Sequence, residues 1–175
     1  MNIILDMIAS LCVIAGSTGM GCFYIYQYQK TIEHAENVLH IFILFRQDMI
    51  YSHATLPEIC RQVSTQVKEP YGTFLKETYK KMEEEKGKNV TLIWKEELEQ
   101  LFLKIEISEM LKELMMSLMN AFNCMDKEVQ IKKFDMGIEK IQREIENRKE
   151  KQENKNRIYF SIGIMSGLLC CVLLL

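Results

Sequence analysis

The histidines are the side chains in this sequence best suited to binding a metal or transferring a proton. The chain has three, His34, His40 and His53, separated by six and thirteen residues. Two metal ligands on one face of a helix need a spacing of three or four residues, which no pair of them has. Solvated or packing histidines are therefore the simpler interpretation.

Motifs for the common enzyme chemistries are missing from the sequence. It contains no P-loop, no G-x-G-x-x-G, no H-E-x-x-H and no nucleophile elbow. The run Glu83-Glu84-Glu85 lies next to Lys80 and Lys81 and is most simply a solvated helix face. The formal charge of −2 argues against a nucleic-acid binder, which usually has a basic excess. We expect no catalytic residues, no cofactor and no metal site.

Methionine and cysteine are the remaining side chains with chemical potential. Five methionines (Met110, Met115, Met116, Met119 and Met125) could form an adaptable binding groove. Core packing is favoured, because most of them share the helix face of Leu111, Leu114 and Leu118. The cysteines lie mainly in the apolar ends, without any C-x-x-C: Cys12, Cys22, Cys170 and Cys171 there, and Cys60 and Cys124 in the middle. They are interpreted as small apolar residues in a reducing or lipid setting.

Two uncharged stretches dominate the organisation of the chain. Residues 158–175 carry no charge over eighteen positions, a helix of about 27 Å, enough for a bilayer core of about 30 Å. Residues 7–29 form a second such stretch, with tyrosines near its end followed by Lys30, an aromatic belt and a basic anchor. No basic segment precedes it, which disfavours a signal peptide. Both are predicted membrane spans, and Gly163 and Gly167 have the spacing for close helix contact.

The flanking charges predict the orientation of these spans. Lys30 follows the first span, and a cluster of Lys and Arg that includes Arg148 precedes the second. The short outer ends carry no Lys or Arg. Positive residues prefer the cytoplasmic side, so residues 30–157 are predicted to be cytoplasmic, with both termini across the membrane.

Residues 30–157 have the composition of a helical domain. They hold both prolines and only three of the eight glycines, among abundant Glu, Lys, Leu and Met. Apolar residues recur at spacings of three and four throughout, without a strand pattern. About six helices are expected: 31–53, one from Leu56 stopped by Pro70, 71–86 closed by Gly87, one capped by Thr91, one from Ser108, and one capped by Asp126. The last could run unbroken into the second span.

Four stretches in order resemble the stage III sporulation protein AB family of endospore-forming bacteria. They are residues 48–58 (DMIYSHATLPE), 94–99 (WKEELE), 126–130 (DKEVQ) and 161–169 (SIGIMSGLL). The resemblance covers essentially the whole chain in the same span–domain–span order. One departure is Ala54-Thr55-Leu56, where the family often has Thr-Pro-Leu, so the helix cap could shift by one residue.

The resemblance implies a place in the complex that joins the mother cell to the engulfed forespore. The family's soluble domain is similar to the cytoplasmic helical domains of the type II secretion and type IV pilus platform protein. The expected partners are the membrane, the AA-type secretion ATPase and other proteins of the same operon. The family has no catalytic residues to carry over.

Together these observations predict an all-α protein, a cytoplasmic bundle of about six helices flanked by two transmembrane helices (1–29, 30–157 and 158–175). It would be a non-enzymatic platform in the mother-cell membrane facing the forespore, coupling the ATPase to the membrane complex, and could form oligomers. Candidate partner-binding residues are Lys80, Lys81, Glu84, Lys88, Arg143 and Arg148. The alternatives are the platform of a secretion or pilus system, and a membrane-anchored signalling or scaffold bundle.

Overall fold

The computed structural model describes residues 29–51, 54–85, 87–122 and 126–174, with side chains described as far as Gln152. Over these residues the chain forms six α-helices and no strand, which confirms the all-α prediction. The helices are α1 (29–51), α2 (Leu56–Ser64), α3 (Tyr71–Glu84), α4 (Val90–Phe102), α5 (Glu109–Phe122) and α6 (Lys127–Leu174).

Almost all side chains of the two predicted spans lie outside the part of the chain that the structure describes. Within the described residues, no helix is both long and apolar enough to cross a membrane. The span at 7–29, apart from Gln29, and the predicted helix contact at Gly163 and Gly167 lie outside the described part. The backbone of α6 is helical without a break to Leu174, as the sequence pattern allowed.

Helix α1 lies at the centre of the bundle. Phe45 of α1 makes edge contacts with Trp94 of α4 and Phe122 of α5, at 6.1 and 5.9 Å between ring centroids. Phe42 packs on Phe134 of α6 at 5.8 Å. Because α1 has neighbours on several sides, its buried face is wider than a single apolar stripe and includes Val38 and Ile41 as well as Phe42 and Phe45.

The remaining helices pack each on its neighbour along the chain, α2 on α3, α3 on α4, α4 on α5 and α5 on α6. Short connections make such neighbours antiparallel. Aromatic contacts also join these helices: the ring centroids of Phe74 in α3 and Trp94 in α4 are 4.9 Å apart. Trp94 Nε1 donates a hydrogen bond of 2.9 Å to the carbonyl oxygen of Met115 in α5. Trp94 is therefore a core residue.

Helix boundaries agree with the predicted caps at two helices. Thr55 is the N-cap of α2, and both its backbone N–H and its hydroxyl donate to the Glu58 carboxylate at 2.8 Å. The cap stays at Thr55 despite the departure from the family pattern. Asp126 accepts a hydrogen bond from the Glu128 N–H at 2.9 Å and begins α6.

Three boundary details of the predictions are wrong. Helix α2 ends at Ser64, well before Pro70, so Pro70 lies at the start of α3 instead of stopping α2. Asn89, and not Thr91, caps α4, because its side chain accepts a hydrogen bond from the Thr91 N–H at 2.9 Å. Helix α3 ends at Glu84 and not at residue 86. Gly87 lies beyond this end, with the positive φ of 112° that glycine adopts without strain.

Candidate partner-binding surfaces

The two ends of the bundle differ in which connections they hold. At one end, which we call the near end, Lys68 binds Glu33 at 3.1 Å and His34 Nδ1 lies 3.1 Å from the Tyr71 hydroxyl. The near end thus holds the start of α1 and the α2–α3 connection. The opposite, far end holds the α3–α4 connection and the start of α6.

Helices α1 and α6 form an antiparallel pair that links the two ends. Lys149 Nζ lies 2.8 Å from Glu36 Oε1 near the start of α1. Arg46, ten residues further along α1, binds Asp135 of α6 at 2.5 Å. As the residue number rises in α1, the number of its partner in α6 falls. The beginning of α1 and the region around Lys149 in α6 therefore lie together at the near end.

The predicted partner-binding residues divide between these ends. Lys80, Glu84 and Lys88 lie around the α3–α4 connection at the far end, whereas Arg148 lies at the near end beside residues of the α1 start. Arg143 is one and a half turns before Arg148 on α6, since an α-helix has about 3.6 residues per turn. The structure does not bring the two predicted stretches together into one surface.

Most of these charges already have partners within the chain. Lys80 binds Glu77 at 2.7 Å, and Lys88 binds both Glu85 at 2.9 Å and Glu96 at 3.1 Å. The hydrogen bond to Glu77 raises the pKa of Lys80, and those to Glu85 and Glu96 raise the pKa of Lys88. Both lysines therefore stay charged in a cell. Exposed pairs of this kind contribute at most about 1 kcal/mol, so a partner's carboxylates can replace them.

Lys81 differs from its neighbours because its ion-pair partner is buried. It binds Glu97 of α4, a side chain on a residue that is 8% exposed. The hydrogen bond to Glu97 raises the pKa of Lys81. Removing the cation would leave a buried carboxylate unpaired, which is strongly destabilising. Lys81 therefore fastens α3 to α4, and the far-end surface consists of Lys80, Glu84 and Lys88.

On α6 the two arginines pair along their own helix. Arg143 binds Glu139 at 3.2 Å and Arg148 binds Glu144 at 2.6 Å, each four residues away. Arg148 also lines a near-end cavity of about 800 Å³ together with Lys30, Glu33, Glu69 and Lys104. The cavity mixes both signs of charge, so it has no clear preference for an anion or a cation.

A more apolar groove lies between α5 and α6. Its volume is about 440 Å³, and its lining includes Leu114, Leu118, Phe134, Met136 and Gly137, with Phe42 of α1 beneath. Met136 is 62% exposed. The sequence patterns missed Met136, because it lies off the stripe of Phe134, Ile138, Ile141 and Ile145. A large apolar residue off the stripe, next to a mid-helix glycine, was the available signal.

The side chains that the structure describes form no site suited to metal binding or thiol chemistry. No group of three His, Cys, Asp or Glu residues there could hold a metal ion. Cys60 is buried, and burial raises the pKa of its thiol. Met115 and Met119 are buried in the core, with Met110 and Met116 packed against it, as the core interpretation predicted.

Comparisons with known proteins agree with this architecture. The family model described as stage III sporulation protein AB matches residues 6–175, so the match includes both apolar ends. A solved structure titled "Stage III sporulation protein AB" has the same fold, with a TM-score of 0.64 at 11% sequence identity. The similarity covers 71% of this chain and 98% of that one. The comparison with curated proteins gave no match. The match over nearly the whole chain shows that this protein belongs to the stage III sporulation protein AB family, whose members are components of a sporulation complex.

Proposed function

We propose that this protein is a non-enzymatic membrane platform that couples a cytoplasmic ATPase to the sporulation complex between mother cell and forespore. The observation that carries the proposal is the antiparallel pairing of α1 with α6. It brings the start of α1 and the Lys149 region to the same end of the bundle. One apolar stretch, 7–29, leads into α1, and the other, 158–175, begins nine residues after Lys149. Both stretches could therefore enter one membrane from the near end.

The far end then faces away from the membrane, where a cytoplasmic ATPase of the AA type can reach it. Its charges include the exposed Lys80 and Glu84 and the half-buried Lys88. Exposed apolar side chains lie in the same region, at Tyr51 and Leu92. Partner surfaces commonly combine apolar contacts with a polar rim. This end is therefore the proposed ATPase contact, and Arg143 and Arg148 are a second, near-end contact for membrane components of the complex.

Mechanical coupling would pass through the two helices that leave the bundle. Helix α6 has 48 residues, or about 72 Å at 1.5 Å per residue. Helix α1 packs by its aromatic residues against α4, α5 and α6. A closely packed core transmits displacement because it is hardly compressible. A movement of the far end would therefore shift α1 and α6, and with them both spans.

Charge reversal tests the proposal. One variant carries Lys80→Glu, Glu84→Lys and Lys88→Glu, and a second carries Arg143→Glu and Arg148→Glu. The control is Lys132→Glu with Glu99→Lys, two exposed positions outside residues 80–88 and 143–148. ATPase co-purification with the full chain in detergent and the yield of heat-resistant spores are measured, with melting temperatures to check folding.

We expect the far-end variant to reduce ATPase co-purification at least tenfold, while the control behaves as wild type. The near-end variant should keep the ATPase and lose membrane components. The proposal fails if both stretches are reversed together and ATPase association and spore formation remain unchanged.

A further inference from the structure

The α5–α6 groove is lined mainly by apolar side chains. Its walls are Leu114 and Leu118 of α5 and Phe134 and Met136 of α6, and the ring of Phe42 lies at its base. Gly137 lets the Phe42 ring form this base. A Cβ at position 137 would lie 2.7 Å from Phe42 Cε1, so only glycine allows the ring to approach α6 this closely. Glycine is unfavourable inside a helix by about 1 kcal/mol, so its use here has a steric reason.

The polar rim of the groove is predominantly basic. Lys133, Lys140 and Arg143 line it, against the single carboxylate of Glu139. Arg143 already binds that carboxylate at 3.2 Å. The rim therefore has a net positive charge above an apolar floor. Exposed Met136 adds a flexible thioether side chain of the kind found at surfaces that accommodate peptides.

We infer that this groove binds an amphipathic helix of a partner protein, with an apolar face and acidic flanks. Two antiparallel helices with a groove between them accept a third helix, whose residues at i, i+3, i+4 and i+7 fill the groove. Asp and Glu beside that apolar face would meet the basic rim. Charge complementarity of this kind selects the partner and speeds association.

The same charges disfavour a second copy of this chain as the occupant. A two-fold contact through the α6 helices would centre near Met136 and Gly137, and self-complementary contacts place the same patch on both sides. Lys133 of each copy would then lie near Lys140 of the other. Like charges so placed are destabilising, which leaves an acidic partner as the matching surface.

Site-specific photo-crosslinking in sporulating cells tests the inference. A photo-reactive benzoylphenylalanine replaces Met136 in the full chain. The matched control places the same group at Leu103, which is 80% exposed and lies at the other end of α4 from the far end. Both positions are exposed, so neither replacement should disturb folding. Cross-linked peptides are sequenced by mass spectrometry.

We expect a cross-link at position 136 to a peptide with helical apolar spacing and an excess of Asp and Glu. The yield should fall at least fivefold when Lys133→Glu and Lys140→Glu are added, and should be unchanged by Lys132→Glu on the same helix. No cross-link, a cross-link to lipid or to this chain, or a captured peptide that is neutral or basic would each overturn the inference.

This inference does not depend on the ATPase role. The triple far-end variant should leave the cross-link at Met136 intact even where ATPase binding is lost. Conversely, loss of the groove cross-link with intact ATPase binding would leave the proposed platform function standing.

Discussion

Lys149 of α6 lies beside Glu36 of α1, with its Nζ 2.8 Å from Glu36 Oε1, although 113 residues separate them in the sequence. Both side chains are about half exposed, so the pair contributes little stability. Its value is geometric. It marks the point where the last helix returns to the beginning of the first.

The antiparallel pairing of α1 with α6 predicts which pairs of introduced cysteines a short cross-linker can join. With native cysteines replaced, Glu36→Cys and Lys149→Cys should react with a short bis-maleimide to give an intramolecular product of altered gel mobility. Glu36→Cys with Lys132→Cys is the control, because Lys132 lies near the opposite end of the same helix contact. Equal bridging in both variants would show that α1 and α6 do not have this register.

Gly137→Ala is expected to destabilise the protein despite the better helix propensity of alanine. The new Cβ would meet the Phe42 ring at 2.7 Å, and overpacking a core contact typically costs about 1–3 kcal/mol. Thermal unfolding followed by circular dichroism should show a loss of roughly 2–4 °C for each kcal/mol. Adding Phe42→Leu should recover part of the loss. A melting temperature equal to or above wild type for Gly137→Ala would contradict the close contact.

Trp94→Phe should weaken the bundle through a lost hydrogen bond. The indole Nε1 donates to the Met115 carbonyl in the core, so phenylalanine would leave that oxygen buried without its donor. An unsatisfied buried group costs about 1–3 kcal/mol. Urea unfolding followed by circular dichroism measures the change, and Phe74→Leu provides a neighbouring change in packing alone. An unchanged unfolding free energy would show that the bond is not formed.

His34 should make stability depend on pH. Partial burial lowers the pKa of its imidazole, with Lys30 acting in the same direction and Glu33 opposing. The unfolded chain then binds a proton more readily than the folded one, so stability falls as the pH drops through about 6.5. The stability lost between pH 7.5 and 5.5 should be smaller in His34→Gln than in wild type. A NMR titration that places the His34 pKa above 6.5 would reverse the sign and contradict the prediction.

The sequence predicted the helices well wherever a local interaction sets them. The Thr55 hydroxyl donates to the Glu58 carboxylate, and the Asp126 carboxylate accepts from the Glu128 N–H, so each cap is set within three residues. At α4, Thr91 and Asn89 are both good capping residues, and only the backbone turn decides in favour of Asn89. Local patterns do not resolve such competition.

Features that depend on tertiary contacts were harder to predict. Val38 and Ile41 are buried because α1 is surrounded by other helices, whereas a single-stripe pattern assumes one buried face. Val129 is apolar and yet 43% exposed, because it lies near the start of α6 at the far end, where helix periodicity alone does not show which neighbours are missing. Phe42 approaches Gly137 closely at the base of the groove, and helix periodicity does not encode this pairing across 95 residues.

The most direct test of the platform proposal is the topology of the full chain in intact cells. Single cysteines are introduced at Glu84 and, separately, at Asn2, with the native cysteines replaced, and are probed with a membrane-impermeant thiol reagent. Glu84 is exposed at the far end, so its labelling depends only on the side of the membrane. A Cys60-only chain is the control, since its buried thiol with a raised pKa should stay unlabelled unless the bundle unfolds. The proposal predicts labelling at position 2 and none at position 84 until the membrane is permeabilised. Labelling at position 84 in intact cells would place the bundle outside the cytoplasm and contradict coupling to an ATPase there.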